Sequence, residues 1–311
     1  MMPVALVAIM RARKAAMPSV ALPRIKIWDN LSAEGLFIRT PTGRFPLQQV
    51  RTMTSSTRPL ALVTGASSGI GADLARELAR DGHDIVLTAR TLAPMHELAA
   101  ELEAYGASIV VLAADLSKPG AAASLVSAIE EHGLSVEVLV ANAGLGAIGR
   151  FDQMDAARIG EMLQVNIVTL TELTRLLLPG MVARRRGKVL LVASTASFQP
   201  GPRMAAYFAT KAYVLSLGEA LAYELRRTGV TVTTLCPGAT ATNFFKVAGA
   251  NEIALKPSMS AAKVARLGYR ACKAGRRVVI TGILNNILAI AARLAPHSIT
   301  LPAASMLMSR R

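Results

Sequence analysis

Tyr207 and Lys211 stand four residues apart in YFATK, on one face of an expected helix, and Ser194 lies thirteen residues before the tyrosine. A phenol, an ammonium and a hydroxyl are the parts of a proton-transfer site acting at a substrate oxygen. A free phenol ionises near ~10, too high for easy exchange at neutral pH, and a neighbouring ammonium lowers that value. Tyr207 is therefore the candidate acid/base, Lys211 the group that tunes it, and Ser194 the residue that orients the reacting oxygen. The plainer alternatives are a helix-surface ring for Tyr207 and a strand-end cap for Ser194.

A second group of residues suits a phosphate. In TGASSGIG (64–71) Gly65 permits the turn, Gly69 lets backbone approach a phosphate, and Gly71 allows close helix–strand contact, with Ser67, Ser68 and Ile70 completing the loop. The amides that open the next helix favour a pyrophosphate. Glycines also serve ordinary turns, and the placement after a strand and before a helix is what strengthens the reading.

These groups need a scaffold, and the apolar pattern supplies one from Leu60 onward. Strands are expected at 60–64, 84–90, 108–115, 136–144, 188–194 and 230–238, with a seventh at 276–281. Between them, Ile70, Leu74 and Leu78, then Met95, Leu98, Ala99 and Leu102, then Leu125 and Ile129 recur at helical spacing, and long helical stretches cover about 155–183 and 203–227. Repeated strand–helix units imply an α/β fold: a doubly wound, Rossmann-like parallel sheet of about seven strands with helices on both faces.

Taken together, TGxxxGxG, YFATK with Ser194 and Asn166 upstream, Asn142-Ala143-Gly144, and Pro237-Gly238 followed by Thr242 resemble the classical short-chain dehydrogenase/reductase family over roughly residues 59–245. The resemblance implies a catalytic tetrad of Asn166, Ser194, Tyr207 and Lys211. In it Asn166 holds a water in a proton relay, and Lys211 also binds the nicotinamide ribose. It further implies that Asp115 and Leu116 meet the adenine, that Asn142, Ala143 and Gly144 face the cofactor, and that Pro237, Gly238 and Thr242 hold the nicotinamide. Ala141 departs from the family's NNAG. Asp115 and Thr242 have helix-capping alternatives. A non-catalytic cofactor-sensing or interaction protein on the same fold is the rival reading, and a membrane-associated lipid reductase the third.

The end of the second strand selects the cofactor. It reads Ala89-Arg90, with no acidic side chain for the ribose hydroxyls and a guanidinium able to pair with a 2′-phosphate. NADP(H) is expected over NAD(H). Phe198, Met204, Phe244, Phe245 and Val247 suggest a hydrophobic ketone, aldehyde or alcohol. The C-terminal VVITGILNNILAIAARLAP lacks the TGQ…DGG-type ending of many 3-ketoacyl-carrier-protein reductases, and looks more like relatives acting on lipid-like carbonyls.

Composition narrows the classes. The net charge of +15 is concentrated at the ends: residues 1–58 hold nine Lys/Arg and two Asp/Glu (+7), 59–258 seventeen and eighteen (−1), and 259–311 nine and none (+9). A nucleic-acid enzyme would carry its basic stripe across the core, so no nucleic acid is expected. Basic ends fit either peripheral contact with a membrane or a merely solubilising tail. Cys236 and Cys272 form no disulfide framework, and the four histidines have no metal-ligand spacing, so no metal is expected. Residues 1–58 read as a poorly ordered extension. Their Arg-rich start resembles a mitochondrial presequence, but an upstream extension before a natural start at Met53 is favoured. Residues 59–282 read as the catalytic domain and 283–311 as a basic, apolar tail. A cytoplasmic homodimer or homotetramer is the expected state, pairing through the helices that bear Asn166 and Tyr207.

Overall fold

The computed structural model describes residues 37–40, 43–46, 58–244, 248 and 259–309. Two compact units divide the chain, Met1–Gln49 and Val50–Arg311. In the first, Phe37–Thr40 and Gly43–Pro46 form an antiparallel ladder. The rest of the expected N-terminal extension, to residue 57, lies outside the described residues, as do Phe245, Val247, Arg310 and Arg311.

The second unit is built on seven parallel strands. They are β1 (Leu60–Thr64), β2 (Asp84–Ala89), β3 (Ile109–Ala113), β4 (Val136–Ala141), β5 (Gly187–Val192), β6 (Val230–Cys236) and β7 (Val278–Ile280). Their order is β3-β2-β1-β4-β5-β6-β7. The sheet is wound outward in both directions from β1, which pairs with β2 on one side and β4 on the other. The crevice at such a reversal, beyond the carboxyl ends of the strands, is where ligands bind in doubly wound sheets.

Alternation along the strands divides the apolar side chains between two layers. Leu62, Val86, Leu139, Val189 and Leu191 face one core; Ala61, Val63, Ile85, Leu87, Val138, Val140 and Leu190 face the other. Helix α1 (Gly69–Arg80), α2 (Leu92–Glu103) and α7 (Ala261–Lys273) cover the second face. Leu74, Leu78, Met95 and Leu102 are wholly buried there, and each buried aliphatic chain contributes about 1.5–3 kcal/mol of transfer free energy. Helix α3 (Ala121–Glu131), α4 (Ala156–Leu163), α5 (Leu170–Ala183) and α6 (Ala205–Glu224) cover the first.

The helices add detail that the apolar spacing does not carry. The single long helix at 155–183 is α4 and α5 joined by a π-helical stretch, Gln164–Thr169, with Asn166 inside it. Helix α3 begins at Ala121, directly after Gly120 with its left-handed φ of 79°. Helices α8 (Ile283–Leu294) and α9 (His297–Ser309) fall in the same compact unit as the sheet. The 28-residue run Ala156–Ala183 is long and apolar enough to cross a membrane by length and composition. Here it packs Met162, Val165, Leu170, Leu173 and Met181 into the core.

Candidate active site

A cavity of about 620 Å³ opens beyond the carboxyl ends of β1 to β6. Of the site residues named from the sequence, all but Gly71 and Asn166 line it. Gly65, Ser67, Ser68, Gly69 and Ile70 follow β1; Arg90 follows β2; Asp115 and Leu116 follow β3. Asn142, Ala143 and Gly144 follow β4, Ser194 follows β5, and Pro237, Gly238 and Thr242 follow β6.

The loop after β1 has the shape of a cradle. Gly65 and Gly69 hold φ of 66° and 58°. A Cβ on Gly65 would lie 2.9 Å from the Ala143 Cα, and one on Gly69 2.9 Å from the Thr242 Cγ2. A Cβ on Gly71 would collide with the Gly65 carbonyl and the Asn142 amide, so this glycine is needed for packing. Ser68, the cap of α1, makes no side-chain capping bond, and the first turn carries no acidic residue. The positive end of that helix is thus not neutralised by its own side chains. This cradle fits a pyrophosphate.

Asn142 ties β4 to the loop. Its Nδ2 donates to the carbonyls of Thr64 (2.9 Å) and Gly65 (3.2 Å). The Thr64 hydroxyl accepts from the backbone N–H of both Asn142 and Ala143 at 3.0 Å. Ala141, where the family pattern has asparagine, is buried at the end of β4. Arg90 is exposed at the end of β2 and makes no ion pair among the described residues. Burial pushes the Asp115 carboxyl up, but two hydrogen bonds from Ser117, with Lys118 and Arg90 nearby, hold it below its ordinary value. Asp115 thus caps the chain that follows β3 while also facing the cavity.

Tyr207, Lys211 and Ser194 come together at the other end of the cavity. Tyr207 and Lys211 are one turn apart on α6, 9% and 4% exposed. The Lys211 Nζ lies 5.9 Å from the Tyr207 ring centroid and donates to the Val192 carbonyl at 2.8 Å. Ser194 Oγ accepts from the Ala196 N–H at 3.1 Å, so it does cap a turn, and it lies 3.5 Å from the Pro237 carbonyl. Burial pushes the Tyr207 phenol up to about 12, and Ser194 pulls it only partly back. Burial likewise lowers Lys211 to about 8. The free chain therefore keeps the phenol protonated, which is the state that donates a proton.

Asn166 stands behind the cavity wall. Its Oδ1 accepts from the Leu145 N–H (2.8 Å), and its Nδ2 donates to the Leu145 carbonyl (2.9 Å) and the Thr210 hydroxyl (3.0 Å). Thr210 in turn donates to the Tyr207 carbonyl at 2.7 Å. A Cβ on Gly144 would sit 3.4 Å from both the Asn166 Oδ1 and the Lys211 Nζ, so the bare glycine keeps the space between them open. The π-helical stretch is what turns Asn166 inward at this point, a use π-bulges often have.

The remaining wall is apolar. Phe198, Met204, Phe208 and Phe244 line it, with the Phe244 ring 5.2 Å from that of Tyr207. Sequence reasoning missed the contribution of α8, whose Asn285, Leu288, Ala289 and Ala292 also line the cavity. Arg293 docks this helix through Glu219 (3.2 Å) and by lying 5.2 Å over the Phe198 ring. The Asn285 amide packs against Gly238, where a Cβ would overlap it. Spacing gave no sign of this, because α8 turns its asparagines inward and its large aliphatic side chains out.

Comparison with known proteins agrees with this geometry. The family model for short chain dehydrogenases matches residues 59–253. An uncharacterized oxidoreductase of Myxococcus xanthus is 35% identical over 190 residues, 60% of this chain and 75% of that protein. The mouse 17-beta-hydroxysteroid dehydrogenase type 3 is 31% identical over 239 residues, 73% of this chain and 75% of that protein. Among solved structures, a short-chain dehydrogenase from Sphingobium yanoikuyae in complex with NADPH aligns with a TM-score of 0.69 at 33% identity, covering 75% of this chain and 92% of that one. The chain is an oxidoreductase-type nucleotide-binding protein of the Rossmann fold and belongs to the short-chain dehydrogenase/reductase family.

Proposed function

We propose that the protein is an NADP(H)-dependent oxidoreductase that interconverts a hydrophobic ketone or aldehyde and its alcohol. The observation that carries this reading is the meeting of Ser194, Tyr207 and Lys211 in one cavity with the glycine cradle. The cradle and the N-terminus of α1 would hold the pyrophosphate, and Arg90 a 2′-phosphate. The Sphingobium relative was solved with NADPH, which agrees with that assignment. When bound, the nicotinamide supplies or takes the hydride.

The chain's own residues manage the proton. Tyr207, kept neutral by burial, donates to the carbonyl oxygen in reduction and takes the proton back in oxidation. Ser194 fixes that oxygen through its hydroxyl. Lys211, close to the ring and cationic at neutral pH, stabilises the phenolate left after transfer. Asn166 holds Leu145 and Thr210 and so sets the position of the tyrosine's helix, its place in a water relay resting on the family likeness.

The apolar wall of Phe198, Met204, Phe208, Phe244 and Leu288 argues for a bulky apolar substrate, in line with a relative named for a steroid. Leu163, Val168, Leu176, Tyr213 and Tyr223 are exposed on α4, α5, the π-stretch and α6, which supports pairing of two copies through those helices into a homodimer or homotetramer. The test is turnover of a panel of hydrophobic ketones, followed by NADPH absorbance. The wild type consumes NADPH, and Tyr207→Phe binds it equally well but turns over at least about a hundredfold slower. Full activity in that variant would overturn the reading.

A further inference from the structure

Helix α8 has two apolar sides with different fates. One side, at Leu288, Ala289 and Ala292, forms cavity wall. On the other, Ile283, Ile287, Ile290 and Leu294 recur at helical spacing and are 83%, 58%, 58% and 81% exposed. Helix α9 adds exposed Ile299, Leu301 and Met306. Single exposed aliphatic residues are ordinary, but a stripe of this extent marks an interaction surface.

The charge of the surrounding segment is strongly positive: residues 259–311 hold nine Lys/Arg and no Asp/Glu, and Arg293 of α8 pairs with Glu219 of α6. Residues 283–309 contain one arginine and no Asp or Glu, and Arg310 and Arg311 follow them in the sequence. An acid-free, apolar pair of helices bounded by cations matches an anionic bilayer: aliphatic side chains enter the acyl boundary and the bases meet headgroups. Each helix, at 12 and 13 residues, is too short to span the bilayer and long enough to lie in its plane. A second copy of this chain fits less well. An isologous contact would bring together two copies of a segment, 259–311, that holds nine Lys/Arg and no Asp/Glu. It would also cover Leu288, which is 56% exposed while lining the cavity, and so obstruct the mouth.

We infer that α8 and α9 lay their outer apolar face on an anionic membrane surface, so that the cavity opens at the lipid boundary and takes its substrate from among membrane-dissolved ketones or alcohols. The surface stands on the geometry of the two helices; the substrate clause rests on the reductase reading above. Substrate reaching Tyr207 from the bilayer passes Leu288, the one cavity-lining aliphatic of α8 that also faces outward.

The test is co-sedimentation of the full chain with phosphatidylcholine vesicles, with and without about one third phosphatidylglycerol, at low and high salt. The wild type is expected to pellet with the anionic vesicles and several-fold less with neutral ones or at high salt. The triple variant Ile287→Gln/Ile290→Gln/Leu294→Gln touches no cavity-lining residue. It should lose at least about tenfold in vesicle partitioning while still reducing a water-soluble ketone. A wild type that stays in the supernatant, or a variant that pellets equally, overturns the inference. So does a wild-type dimer that the variant splits with vesicle binding unchanged, which would make this face a contact between copies. Vesicle binding without turnover of any ketone leaves the surface standing and overturns the reductase reading instead.

Discussion

Lys211 faces the ring of Tyr207 from 5.9 Å while the Val192 carbonyl holds its ammonium at 2.8 Å. The lysine is thus anchored to the end of β5 independently of the tyrosine, and its charge is held in a buried place. The cost of that burial appears as its lowered pKa of about 8 against an ordinary 10.5. Between those values the unfolded chain binds more protons at this lysine than the folded one, so its contribution to stability rises with pH. Buried Cys236, Cys272 and Tyr207, all shifted upward, work in the opposite sense above their ordinary values of 9.0 and 10.0. The readout is therefore a difference. Urea denaturation from pH 7 to 10 should show the wild type gaining on Lys211→Met as pH rises through 8; parallel curves would contradict the burial argument.

Asn166→Ala removes three hydrogen bonds and leaves both backbone groups of Leu145 without their side-chain partner. Each buried group so orphaned costs about 1–3 kcal/mol. Denaturant midpoints should fall accordingly, and kcat should drop more than KM rises, since the helix carrying Tyr207 loses its tie through Thr210. Asn166→Asp, with one oxygen in place of the amide nitrogen, should not restore the bonds to Leu145 and Thr210 that the nitrogen donates.

On the proposed NADP(H) reading, Arg90→Ala should raise the KM for NADPH about tenfold or more and change that for NADH by less than about twofold, since only the former carries a 2′-phosphate with which the cavity-lining guanidinium would pair. Steady-state kinetics with both cofactors decide it. An equal loss for the two would mean that Arg90 serves the fold.

Leu78 is wholly buried between α1 and the sheet. Leu78→Ala should destabilise the chain by about 2–5 kcal/mol without altering cofactor preference, as measured by thermal or urea unfolding.

Much of this site could be read in the sequence because each piece is local. The strand–loop–helix at Leu60–Arg80 carries its own punctuation, and a Tyr and a Lys four apart must share a helix face. The π-helical stretch at Gln164–Thr169 could not, because its apolar spacing is that of the α-helices on either side. The burial that pushes the Tyr207 phenol upward was equally hidden, because Phe244, whose ring packs on that of Tyr207, is remote in the chain. The role of α8 was missed because its pattern is inverted. Asn285 and Asn286 bond to the carbonyls at the end of β7, and the aliphatic side chains that look like core point outward.

That inverted helix also divides the labour of the enzyme along the chain. The residues proposed to move the proton and hold the phosphates all fall within residues 59–253, whereas one apolar wall of the cavity comes from Ile283–Leu294, downstream of that span. If the proposed function holds, selectivity has a partition of its own: substitutions in that helix should widen, narrow or reshape what is admitted and leave Ser194, Tyr207 and Lys211 as they are.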